Sequence, residues 1–120
     1  MNNINELISE FIQNVKASNE PFDYSDKQAK KRHNASIDKY RSIAKRISTG
    51  TSYVCEEFLS LLQDSDEEVA IACAVCIIEI MEATSEQYNL AVKRIEEYVK
   101  TSPNKMKVIG FEMYLKKLKK

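Results

Sequence analysis

Few side chains in this sequence belong to types that do chemistry, and their spacing decides what they could do. Cys73 and Cys76 form a C-x-x-C with Cys55 as a third thiol, a pattern that elsewhere holds zinc or a redox disulfide. Zinc pairs sit on knuckles or loops with a second pair elsewhere, and redox pairs open a helix in a βαβ setting. Cys73 and Cys76 instead lie inside the apolar run from Val69 to Ile78. They read as small core residues, with a free-thiol sensor as the chemical alternative. His33 is the single histidine, so a His-based nucleophile, metal cluster or proton relay would rest on one residue, and its spacing places it on the inward stripe of its segment. Asp64, Asp66, Glu67 and Glu68 could supply paired carboxylates for acid–base work. A cluster of acids ahead of an apolar helical run is, however, what capping and the helix dipole already require. Gly50 and Gly110 are the only glycines and stand alone, which excludes the Gly-rich phosphate loops of the common nucleotide sites. No catalytic, metal-binding or cofactor-binding residue is assigned, and the chain reads as non-enzymatic.

Charge carries the remaining signal. The total is zero, but between Asp26 and Ile47 eight Lys or Arg face two Asp, and from Ile47 to Val92 there are nine acids and no Lys or Arg. The end turns basic again at Lys116, Lys117, Lys119 and Lys120. A candidate binding face follows on the second helical segment: Lys27, Lys31, Arg32, Lys39, Lys45 and Arg46. Such a face could neutralise nucleic-acid phosphates, although zero net charge and an acidic middle favour a protein partner over nucleic acid. The acidic middle would suit a basic protein. The lysine end reads as a helix terminus kept soluble and matched to its dipole, not as a membrane anchor.

The elements that must position these residues are helices. Two Gly and two Pro in 120 residues, with abundant Leu, Ile, Ala, Glu and Lys, describe long helices and short connections. Ile4, Leu7, Ile8, Phe11, Ile12 and Val15 form a stripe of period 3.6 for a first helix. Asn19, Glu20 and Pro21 break it, and Ser25 with Gln28 resembles a capping box for a second helix. That helix places Ala29, His33, Ile37, Tyr40, Ala44 and Ile47 inward and stops at Thr49 and Gly50. A third carries Val54, Phe58, Leu61 and Leu62, and a tight turn over Gln63–Asp66 leads into a fourth whose apolar run has no polar side, so that it lies inside the domain. A fifth spans about 85–100 with Tyr88, Ala91, Val92, Ile95 and Val99 inward. Ser102 and Pro103 open a sixth, with Met106, Ile109, Met113, Tyr114 and Leu118 on its stripe. An odd cysteine count and the absence of a secretory leader point to the reducing cytoplasm, and the ten-residue apolar run is about half of what crossing a membrane requires.

The stretch from Phe58 to Ala74 resembles a HEAT repeat: a leucine-rich first helix, a turn with Asp64 and Asp66, then Val69 and small residues on the second helix. The small residues let hairpins stack closely. HEAT repeats commonly carry Arg after that Val, and here the position is Ala70, which suggests a short, irregular array. In length and layout the chain is similar to a group of small bacterial HEAT-like proteins of uncharacterised function, some of whose helical-repeat relatives look like immunity proteins for secreted toxins. The resemblance implies one all-α domain over 1–120, about six helices in three antiparallel hairpins forming a HEAT/armadillo-like right-handed superhelix fragment. Its best-defined hairpin covers 53–82 and a degenerate one 84–118. It also implies a protein-binding role of an adaptor or immunity type, with nucleic-acid association through the second helix as the alternative.

Overall fold

Glu67–Glu79 forms the helix around which the chain is built. The computed structural model describes residues 4–21, 23–48 and 54–118. Among them are six α-helices and no strand: α1 (Ile4–Ser18), α2 (Lys27–Ser48), α3 (Glu56–Leu59), α4 (Glu67–Glu79), α5 (Ser85–Thr101) and α6 (Lys105–Leu118), with a 3-10 turn at Ser60–Gln63 running on from α3. Thr49, Gly50, Lys119, Lys120 and the first residue of the hairpin placed at 53–82 lie outside the described residues.

Helix α4 buries Val69, Ala70, Ile71, Ala72, Cys73, Ala74, Cys76 and Ile77, as its all-round apolar sequence requires. Helix α1 packs on α2, the 3-10 turn on α4, α4 on α5, and α5 on α6, while α1 also touches α3 and α4. The molecule measures 41 × 37 × 26 Å. Its shortest dimension holds about two helix diameters. One layer is α1, α3 with its 3-10 turn, and α5, joined by the contacts of Arg94 and Gln87 with Leu62 and Val54. The other is α2, α4 and α6, joined through Arg41, Glu79 and Tyr114. Phe11 ties the layers: its ring meets Phe58 edge-on at 4.9 Å and Tyr40 at 5.5 Å, the offset geometry that aromatic quadrupoles favour.

Several local readings shift. Asp26, not Ser25, caps α2: its Oδ1 accepts from the Gln28 and Ala29 amides at 2.9 and 3.2 Å. Ser25 is occupied elsewhere, its hydroxyl donating to Asp23 at 2.6 Å. The true capping box is Thr84 with Gln87 at the head of α5. Helix α6 begins at Lys105, because Asn104 rather than Ser102 caps it by accepting from the Lys107 amide at 3.1 Å. Asp66 caps α4 as expected from the turn chemistry. Ala70 is fully buried, so the Arg of the HEAT pattern would not fit there. Arg94 Nε donates to the Leu62 carbonyl at 3.0 Å and satisfies an acceptor the short 3-10 turn leaves open.

The larger correction concerns α6. Met106, Ile109 and Met113, read as its inward stripe, are 84%, 57% and 68% exposed. Leu115 is buried instead, with Phe111 and Leu118 half-buried against the core. Residues 105–118 hold two interleaved apolar stripes of equal helical period, 106/109/113 and 108/111/115/118. The second wins because Phe111 meets Tyr98 of α5 edge-on at 5.7 Å and so brings an aromatic pair into the core.

Gln87 does more than close its capping box. Its Oε1 accepts from the Val54 amide at 2.9 Å and from the Thr84 amide at 3.1 Å, and its Nε2 donates to the Val54 carbonyl at 2.9 Å. One side-chain amide thereby stands in for a backbone partner and pins the start of α3 to α5. At roughly 1 kcal/mol net per hydrogen bond, Gln87→Ala is expected to lower stability by about 2–3 kcal/mol in urea unfolding, whereas Gln13→Ala on the exposed side of α1 should change it by less than about 0.5 kcal/mol.

Candidate functional site

The exposed side of α4 is the floor of a trough. Its walls are α2, through His33, Ile37 and Tyr40, and α6, through Lys107, Phe111 and Tyr114. Two adjoining cavities of about 320 and 410 Å³ share Val75, Lys107 and Phe111 as lining residues. Ile71, Ala72 and Val75 supply the floor, and Gly110 interrupts the α6 wall beside Val75 and Phe111. The sequence folds this way because α4 has no polar side: Ile71 and Ala72 are buried, and where α2 and α6 fail to meet over α4 only Val75 is left half-exposed.

Ion pairs hold the two walls to the floor. Lys107 Nζ lies 2.7 Å from Glu68 Oε1 at one end. At the other, Glu79 uses both carboxylate oxygens: Arg41 of α2 reaches Oε1 at 2.9 Å, and the Tyr114 hydroxyl of α6 donates to Oε2 at 2.7 Å. Glu79 is thus one anchor for two helices. The paired side chains are each more than a third exposed, so each pair contributes about 0–1 kcal/mol. Their main effect is to fix the spacing of the walls.

Two phenols of the trough, Tyr40 and Tyr114, have perturbed proton equilibria. Burial, then the hydrogen bond to Glu79 and its charge, push the Tyr114 hydroxyl up. Tyr40 rises chiefly through burial, with Cys76 adding to the effect. Both phenols stay protonated across the physiological range and act as donors and packing groups. Among the described residues no three His, Cys, Asp or Glu side chains are placed to hold a metal ion.

The residues singled out in the sequence fall in different places. Cys73 and Cys76 are fully buried, with Cys73 Sγ donating to the Phe58 carbonyl at 3.3 Å, and Cys55 is half-buried; all three are free thiols. His33 is half-buried between the trough and a second cavity beneath the end of α1. Lys27, Lys31, Arg32, Lys39, Lys45 and Arg46 are all exposed and none lines the trough. They follow two lines along α2, with Arg32, Lys39 and Arg46 seven residues apart on one. Part of the acidic middle is already engaged: Glu68 and Glu79 in ion pairs, Asp64 and Asp66 accepting backbone amides. That leaves a weaker acidic face than the sequence count implies. The trough residues Val75, Gly110, Phe111 and Tyr114 were not assembled from sequence. The available signal was the double apolar stripe of 105–118.

No family model, no curated protein and no solved structure matches the chain.

The buried thiols make the fold sensitive to alkali. Burial raises Cys76 from 9.0 to about 12, against the favourable charge of Arg41, and Cys73 rises well above its ordinary value through burial and its neighbours Cys76 and Cys55. A folded-state pKa above the unfolded one gives stability that is complete below pH 9 and lost as pH climbs towards 12, at up to roughly 1.4 kcal/mol per pH unit per thiol. Thermal melts are expected to fall steadily from pH 9 upward, and Cys76→Ala should make that fall shallower. A variant with the wild-type slope would show that Cys76 does not govern it.

Proposed function

We propose that the chain is a non-enzymatic protein-binding module, an adaptor or immunity-type protein of the reducing cytoplasm, built from three stacked HEAT-like hairpins and using the α2–α4–α6 trough as its binding surface. The observation that carries this reading is the apolar surface of α4 at Val75, half-exposed between α2 and α6, with Glu79 fastening both flanking helices beside it. Second helices lying side by side over one face are the arrangement by which helical-hairpin arrays offer a binding surface. A pocket with an apolar floor and a few fixed polar groups at its ends suits a partner's apolar segment. Free thiols at Cys55, Cys73 and Cys76 fit a reducing compartment. No helix among the described residues is long and apolar enough to cross a membrane.

The cavity on the other layer, lined by Glu56, Leu59, Gln63, Lys93, Arg94 and Glu97, is a weaker candidate. Its rim is charged, and Arg94 is already committed to the Leu62 carbonyl. A second reading, nucleic-acid association, is favoured by one observation: the six cations of α2 are all exposed and aligned, as phosphate contacts would need.

The two readings separate in one experiment. A photo-crosslinking amino acid replaces Ile37 on the trough wall in one variant and Lys31 on the basic face of α2 in another, and both are irradiated in native cell extract with and without nuclease. A discrete protein adduct from position 37 that position 31 does not form is the expected outcome. Adducts from position 31 that disappear with nuclease or with rising salt would move the function to the basic face.

A further inference from the structure

We infer that the segment held by this surface is an amphipathic α-helix with acidic flanks, docked along α6 with its backbone closest to Gly110; the inference rests on the trough being the binding surface. Met106, Ile109 and Met113 make an apolar stripe on the far side of α6 from the core, 84%, 57% and 68% exposed. An exposed apolar patch on the order of a few hundred Å² is the scale at which such surfaces mark interaction sites. Gly110 sits between Met106 and Met113, one turn from each, and belongs to the wall of the cavity floored by Val75. A Cβ added there meets nothing within 4 Å, so this chain's own packing does not demand glycine in the middle of a helix that glycine weakens. What glycine provides is a notch on the α6 rim that opens toward Val75 and Phe111, through which a partner's backbone can come close and its side chain can enter. Methionines on either side are the apolar residues that best adapt to a docked helix.

The geometry selects a helix. Positions 106, 110, 113 and 117 follow the 4-3-4 spacing of one helix laid along another. The trough from Glu68 to Glu79 runs eleven residues of α4, about 16 Å at 1.5 Å per residue, or three turns of a docked helix. No strand edge exists among the described residues for an extended peptide to pair with. Charge selects the flanks. Lys105 and Lys116 bracket Ile109 along one edge of the stripe, Lys117 stands one turn beyond Met113, and all three are exposed, against the single acid Glu112. A second copy of the chain is disfavoured, because it would bring these lysines together over a patch well below the roughly 800 Å² per partner that stable interfaces use. A lipid surface would use the methionines and lysines but neither the Gly110 notch nor the trough.

The test is selection of a display library of random peptides about five helical turns long on the immobilised full chain, with Gly110→Trp and Lys105→Glu/Lys116→Glu/Lys117→Glu as comparison chains. Gly110→Trp places bulk at the notch from a position where an added Cβ meets nothing within 4 Å. Met106→Ser/Met113→Ser, at two exposed positions, provides an independent variant. The expected peptides carry apolar residues at i, i+3 or i+4, and i+7 with Asp or Glu beside them. They become helical on binding by circular dichroism, and lose at least tenfold in affinity to each variant. Enriched peptides that are basic, stay extended, or bind the Gly110→Trp chain unchanged overturn the inference, as does no enrichment at all. If position 37 crosslinks a protein while the selected peptides are basic or extended, the trough stands and this partner class falls. Co-sedimentation with phosphatidylserine vesicles that Met106→Ser/Met113→Ser abolishes, with no helical peptide selected, would assign the stripe to lipid instead.

Discussion

Helix α4 has no side that can face water, and the rest of the structure follows from covering it. Ten consecutive apolar residues on a helix leave no polar arc to turn outward, so α1, the 3-10 turn after α3, and α5 close on it from within. Alanine and cysteine along α4 allow those neighbours to come close, and Cys73 spends its thiol proton on the Phe58 carbonyl across that contact. On the remaining side α2 and α6 reach its ends but leave Val75 half-exposed between them. The trough is the part of this burial that the chain leaves incomplete.

The electrostatics follow the same division. A neutral total conceals acids that are set against specific cations: Glu79 against Arg41, Glu68 against Lys107. These pairs join basic outer helices to an acidic central one, which is why the charge is segregated along the sequence. The exposed cations on the outer face of α2 and along the exposed stripe of α6 set the molecule's positive field. The α2 cations stand apart from the trough, with Arg32 bordering the cavity beneath the end of α1 instead, whereas those of α6 border an apolar surface. Charge beside an apolar stripe steers a docking helix into register.

Much of the fold was legible in the sequence, since a 3.6-residue period and an all-apolar central run are strong local signals. The capping of α4 by Asp66 and the burial of Cys73 and Cys76 followed from them. What failed was phase and partner choice. Ser25 and Asp26 are both good caps, and only the placement of Asp23 decides between them. Residues 105–118 carry two stripes of the same period, and the contact of Phe111 with Tyr98 decides which turns inward. Gln87 clamps Val54 from 33 residues away, a distance over which no periodicity speaks. The trough was invisible for the same reason: it is made of residues from α2, α4 and α6 that are neighbours only after folding. Lys27, Lys31, Arg32, Lys39, Lys45 and Arg46 were legible as a charged face, but a charge pattern on one helix does not tell whether a cavity adjoins it.

The most direct measurement is methionine oxidation footprinting of the free chain by dilute peroxide, read residue by residue by mass spectrometry. Met106 and Met113 are expected to oxidise at the rate of free methionine, while Met81, 7% exposed, reacts far more slowly. Protection of Met106 and Met113 to the level of Met81 in the isolated chain would contradict an α6 whose Met106, Ile109 and Met113 stripe stands exposed.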